Sequence, residues 1–221
     1  MKFRATKETV WLFDYDLTLY TYKERFVLDS LDRRIMLFVK AFFGCSEERA
    51  TEIRRDYLVR FGTTLRGLQV LHGVDPNEYY DFIHRNEGLV YPEFAPRKRE
   101  ILEGLPGTKF IFTNGRRDWS EAGMRSMGIG GAFSGILDVA AMNWLGKPAD
   151  SAYVCAEEFM KRELGKAPES VVMLDDAAKN LPGGVARGWL PVLVNPLVPE
   201  GFEGFHVDSL FELPDLVEAA C

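Results

Sequence analysis

A chain of 221 residues can bury a sizeable core and holds one full-sized domain with room for a second small module. Hydrophobic residues at 47% and charged residues at 27% fit an ordinary globular protein and exclude disordered and fibrous classes. The formal net charge of -6 argues against a surface built for a nucleic-acid polymer, and no apolar run approaches the roughly 20 residues a membrane helix needs.

The opening MKFRATKETV lacks the apolar stretch of a secretory signal, so an unprocessed, cytoplasmic protein is expected. Cys45, Cys155 and Cys221 are scattered and without ligand spacing, which speaks against a disulfide framework or a zinc site.

In chain order, the first element is the apolar run Val10 to Phe13 (VWLF), which stops abruptly at the acidic DYD. Such a run fits a central strand buried on both faces. From Tyr20 to Asn86 no strand pattern occurs. Val27, Leu31, Ile35, Phe38, Val39 and Phe42 recur at helical spacing, followed by helical stretches from Glu47 to Phe61 and from Asp75 to His84. The aromatics among them read as core. Strand-like runs then return at Lys109 to Thr113, Val171 to Leu174 and Leu190 to Val194, with a weaker one from Gly135 to Val139. Helical patterns from Arg97 to Leu105, Trp119 to Met127 and Ala149 to Leu164 separate them. This alternation predicts βαβ units and a parallel sheet, with a helical insertion after the first strand.

The chemistry concentrates where these strands end. In FDYDLTLY, Asp14 and Asp16 stand two apart, and in an extended chain their carboxylates share one side. Together they call for a cation or a shared proton. The same residues also suit a turn or a helix cap. Thr113, Asn114 and Gly115 close the next strand; a hydroxyl and a carboxamide there can donate to phosphate oxygens, although Asn-Gly is also a common turn. Lys147 precedes Pro148 before a helix and offers a compact positive charge, where most lysines are solvated surface groups. Asp175 and Asp176 close an apolar strand, an expensive placement unless paired or metal-bound, with Asn180 shortly after. Hard oxygen donors of this kind suit Mg²⁺.

In this order the four segments resemble the motif set of the haloacid dehalogenase superfamily, over about Val10 to Val194. The resemblance implies a Rossmann-like parallel sheet, with residues 1–19 and 92–221 as core and a helical cap over 20–91. It implies that Asp14 attacks phosphorus and forms an aspartyl phosphate, while Asp16 protonates the leaving oxygen and later activates water. It further implies Mg²⁺ held by the Asp14 carboxylate, the Asp16 carbonyl and Asp176, with Asp175 acting directly or through water. Thr113 and Asn114 would hold the phosphoryl oxygens, Lys147 would balance charge, and Asn180 would position the acidic loop. Dehalogenases of the superfamily lack an acid at the second aspartate, so Asp16 favours phosphoryl transfer. Leu17 departs from the pattern, since many relatives carry Gly or Asn there.

The segment Phe61 to His84, with IFTNG and LDDAAKNL, is similar to the pyrimidine 5′-nucleotidase subfamily. Phe61 replaces the usual Tyr, and Asp175 stands where Glu is frequent. The implied substrate is a pyrimidine nucleoside 5′-monophosphate, with Thr63, Thr64 and Arg66 as cap contacts; alternatively Thr63 caps a helix and Arg66 is solvated. His72 and His84 read as structural or surface residues without visible partners. The competing expectations are a phosphatase or mutase for a small metabolite such as phosphoglycolate or a sugar phosphate, and a non-catalytic module that keeps the fold.

Overall fold

The computed structural model describes residues 2–85 and 87–218, so Asn86 and Cys221 lie outside the described residues. The chain divides into two compact units, Met1–Arg25 with Pro92–Cys221, and Phe26–Tyr91.

The first unit is an α/β layer structure. Its sheet contains β2 (Thr9–Phe13), β3 (Thr108–Phe112), β4 (Gly135–Leu137), β5 (Ser170–Asp175), β6 (Leu190–Val194) and β7 (Phe205–Val207), in the order β4-β3-β2-β5-β6-β7. Every pairing is parallel. Two short segments, β1 (Phe3–Arg4) and β8 (Val217–Glu218), pair with each other in parallel. Strand β2 is buried at all five positions, which is why Val10–Phe13 is continuously apolar instead of alternating.

Helices cover the sheet: α5 (Pro96–Gly104), α6 (Arg117–Met127), α7 (Asp150–Leu164), and the short α8 (Leu181–Val185) and α9 (Leu213–Leu216). Helix α6 places Trp119, Met124 and Met127 in the core, and α7 does the same with Tyr153, Phe159 and Met160. The Phe110 ring packs edge-on against Phe159, and Phe112 against Tyr153, so the α7 face and the β3 face interlock.

The second unit is helical, as the insertion pattern predicts: α1 (Phe26–Phe43), α2 (Glu47–Phe61), α3 (Thr64–His72) and α4 (Pro76–Ile83). Ser46, Thr63 and Asp75 cap α2, α3 and α4 by accepting from backbone amides of Arg49, Arg66 and Asn77. Phe38 lies edge-on to Tyr79 and Phe82, and the Arg34 guanidinium donates to the Phe82 carbonyl at 2.7 Å. His72 has a partner that the sequence does not reveal, the Tyr57 hydroxyl at 2.7 Å. Among the described residues no helix is long and apolar enough to cross a membrane.

Candidate active site

Three strand ends meet at one rim of the sheet. In the register of β2, Phe13 lies opposite Ile111 of β3 and Leu174 of β5, so the residues that follow leave the sheet side by side. The Asp14 amide donates to the Leu174 carbonyl at 2.9 Å, and the Thr113 amide to the Leu137 carbonyl at 3.0 Å. From β2 the chain steps outward through β3 and β4, then returns on the other flank with β5. A reversal of this kind opens a crevice at the carboxyl ends of the strands.

Lys147 is the centre of the rim. Its ammonium donates to Asp14 Oδ1 at 3.0 Å, Asp175 Oδ2 at 2.6 Å and the Phe112 carbonyl at 2.7 Å. These three acceptors match the three hydrogens of the group. The lysine side chain is 1% exposed, and Asp175 is completely buried. Burial alone would pull the ammonium towards neutrality; the charges of Asp14 and Asp175 outweigh it and hold the proton above the ordinary lysine value.

Asn114 places that lysine. Its Oδ1 accepts from the Lys147 amide at 2.7 Å and its Nδ2 donates to the Lys147 carbonyl at 2.8 Å. The close approach needs Gly146, because a Cβ there would lie 2.2 Å from Asn114 Oδ1. The carboxamide expected to hold a phosphoryl group is thus largely spent on the backbone of Lys147. Thr113 is buried, and its oxygen accepts from the Gly115 amide at 3.0 Å.

Asp16 follows in the turn after β2, where it is half-buried. Its Oδ1 accepts from the Tyr20 hydroxyl at 2.6 Å and from the Trp119 indole at 2.9 Å. The sequence reading missed both donors. The four-residue spacing from Asp16 to Tyr20 offers a signal for the first, whereas nothing local reports the long-range contact of Trp119. Leu17 between them has φ 55°, the left-handed conformation that favours Gly or Asn. Leu17 nevertheless occupies it with its side chain buried.

Asp175 Oδ1 accepts from the Ala177 amide and from Asn180 Nδ2, both at 2.9 Å. Asn180 is itself held, its carbonyl accepting a short bond from the Tyr153 hydroxyl. Asn195, unmarked in the sequence reading, donates to the Asp176 carbonyl at 2.8 Å and fixes the loop from behind.

The donor set fits a hard divalent cation. Carboxylate oxygens of Asp14, Asp175 and Asp176 all lie within 4.8 Å of one another. Burial raises Asp14 well above the ordinary carboxylate value, against the pull of Lys147, and Asp175, Asp176 and Asp16 raise it further. Burial, then the charge of Asp175, pushes Asp176 up to about 7. Several acids share one ammonium, and a dication would relieve the excess. Because protein donors already engage both oxygens of Asp175, Asp14 and Asp176 are the better-suited metal carboxylates.

In the second unit, Thr63 is the N-cap of α3, its hydroxyl oxygen accepting from the Arg66 amide at 3.0 Å. Thr64 is buried and Arg66 half-buried. Capping is therefore the observed task of Thr63.

No protein-family model matches the chain. Solved structures show the haloacid dehalogenase superfamily fold at low identity. A HAD phosphatase from Thermococcus onnurineus is 19% identical with TM-score 0.61, covering 96% of this chain and 97% of that one. YfnB from Bacillus subtilis, in a magnesium-bound form, is 15% identical with TM-score 0.59, covering 96% and 98%. L-2-haloacid dehalogenase from Xanthobacter autotrophicus is 19% identical with TM-score 0.55, covering 95% and 97%. A phosphatase and a dehalogenase share this fold, so the fold alone assigns no reaction.

Proposed function

We propose that the chain is a magnesium-dependent phosphomonoesterase acting through an aspartyl phosphate, with nucleoside 5′-monophosphates, pyrimidine ones first, as substrates. The observation that carries this reading is the Lys147 ammonium wedged between Asp14 and Asp175, with Asp16 two residues beyond the nucleophile. Asp16 sets phosphoryl transfer above carbon-halogen cleavage, because a leaving alkoxide needs a proton and a halide does not.

Asp14 supplies the attacking oxygen, and Lys147 holds its carboxylate in place while countering negative charge at the rim. The phosphorus bond to Asp14 forms as the bond to the leaving oxygen breaks, and that oxygen takes a proton from the Asp16 carboxyl. Water then attacks the phosphoryl group, giving its proton to Asp16 and returning Asp14 as a carboxylate with inorganic phosphate released. The Thr113 hydroxyl and the backbone amides after it are the donors for the transferred oxygens. Magnesium, held by Asp14 and Asp176 with the Asp16 carbonyl, would supply charge neutralisation for the phosphoryl oxygens. The nucleotide preference rests on FGTTLRGL, with Phe26–Tyr91 proposed as the substrate-selecting cap and Arg66 as its charged contact.

The test is phosphate release with magnesium over nucleoside monophosphates, sugar phosphates and phosphoglycolate, for the native chain and Asp14→Asn. Native turnover should favour nucleotides, and the variant should lose at least about 1000-fold while staying folded. Turnover of sugar phosphates without any nucleotide activity sinks the substrate assignment; an undiminished Asp14→Asn sinks the nucleophile.

A further inference from the structure

A carboxylate taken out of water is tolerated when strong donors replace the water. Asp138 is such a group, 6% exposed just past the end of β4 and separate from the three acids that could hold a cation. Its Oδ2 accepts from the Arg117 amide at 2.9 Å and its Oδ1 from the Ala141 amide at 3.0 Å. The two donors belong to different segments. Arg117 opens α6, and Arg116 at the N-cap position has no side-chain acceptor to offer, so the acceptor arrives from the end of β4. Ala141 lies in loop 138–149, which carries Lys147.

Further bonds run alongside this bridge. The Thr113 amide donates to the Leu137 carbonyl at 3.0 Å and the Val139 amide to the Gly115 carbonyl at 3.2 Å, so loop 113–116 stays paired with the chain that leaves β4. The same two loops meet again where the Asn114 carboxamide holds the backbone of Lys147. Between these ties, loop 138–149 passes through Asn143 and Trp144, both left-handed at φ 53° and 63°. A bulky side chain rarely adopts that conformation, and it persists only where the surroundings impose it. Here the Asn143 amide donates to the Ala140 carbonyl at 3.1 Å and the Trp144 amide to the Val139 carbonyl at 2.9 Å, while Asp138 grips the start of the turn through Ala141.

We propose that Asp138 is a positioning residue whose carboxylate ties the segment bearing the phosphoryl-oxygen donors to the loop bearing Lys147, keeping donors and lysine in register during phosphoryl transfer. A carboxylate suits this task because both of its oxygens accept, whereas an asparagine would turn an N–H group against one of the two amides. The inference rests on the phosphatase reading and deepens it with a residue that acts through Thr113 and Lys147. A buried acid with two amide partners also adds to stability, so alignment and folding must be measured apart.

We would measure kcat and KM with magnesium on p-nitrophenyl phosphate and uridine 5′-monophosphate for the native chain, Asp138→Asn, Asp138→Ala and Val171→Ala. The temperature is one at which circular dichroism shows each variant fully folded. Val171 is buried at the opposite end of β5 from Asp175, so truncating it lowers stability away from the rim. Misplacement of about 1 Å can cost about 10²-fold in rate, and an interaction used in the transition state lowers kcat and kcat/KM together. Asp138→Ala should therefore lose at least about tenfold in both, with Asp138→Asn between it and the native chain and Val171→Ala close to native. Unchanged kcat in the folded Asp138 variants, a rise in KM alone, or an equal loss in Val171→Ala overturns the proposal. Asp138→Asn preserves the shape and carries the test alone if Asp138→Ala fails to fold. A native chain inactive on every phosphate ester would instead overturn the phosphatase reading and this inference with it.

Discussion

Lys147 meets Asp175 at 2.6 Å where neither side chain reaches water, and that ion pair joins a loop after β4 to the end of β5. Taking two charges out of water is costly, and the pair is tolerable because each partner is satisfied several times over.

Replacing Lys147 with methionine keeps most of the volume and removes the charge, stranding Asp14 and Asp175 together. The expected cost is about 3–5 kcal/mol. Urea denaturation should show it, with magnesium recovering part of the loss. A change within about 0.5 kcal/mol, the usual range at a surface site, would contradict the burial argument.

Metal dependence should follow pH with a definite sign. Asp176 rises from 3.8 to about 7 in the folded chain, and Asp14 rises too, so the folded state binds more protons than the unfolded one across that window. Their contribution to metal-free stability is therefore complete below about pH 4 and lost as pH climbs towards 7. Magnesium prefers the ionised carboxylates, so the increase in Tm on adding it should grow from pH 5 to pH 8. Thermal melts at four pH values, with and without magnesium, check this; a gain independent of pH would refute it.

Leu17 sets two effects against each other. Its left-handed backbone costs about 1–2 kcal/mol, while truncating a buried leucine costs about 2–5 kcal/mol. Leu17→Gly should therefore destabilise by about 1–2 kcal/mol despite relieving the turn. A more stable variant in chemical denaturation would show that the strain term is the larger.

The central strands were legible because both faces of a parallel sheet are buried, which makes VWLF, VVML and LPVLV continuous apolar runs at or within a residue of their observed bounds. Glu47 to Phe61 was readable end to end for another reason, the serine before it and the glycine after it. Strand β7 and the pair β1 and β8 escaped notice, being two or three residues long and thus too short for a period to repeat. Helix α3, between two stronger patterns, was legible only through the alternative in which Thr63 caps a helix. At the rim, acidic residues that end apolar strands announce themselves, so Asp14, Asp175 and Asp176 could be read individually, whereas Lys147, in the loop before α7, was marked by its place in the ordered set of motifs. Their supports could not. Trp119 reaches Asp16 and Asn195 reaches Asp176 through tertiary contact, and Asn114 spends its amide on a backbone no local pattern marks.

The pairing of β2 with β5 also governs how the molecule is made. Residues Thr9–Phe13 leave a ribosome well before their partners Ser170–Leu174, from which the whole of Phe26–Tyr91 and strands β3 and β4 separate them. Until then an exposed apolar segment must be kept from sticking to its neighbours, a hazard of non-local pairing. The contiguous stretch Phe26–Tyr91 has no such wait, so during synthesis the inserted helices can mature while the sheet that flanks them in sequence is still incomplete.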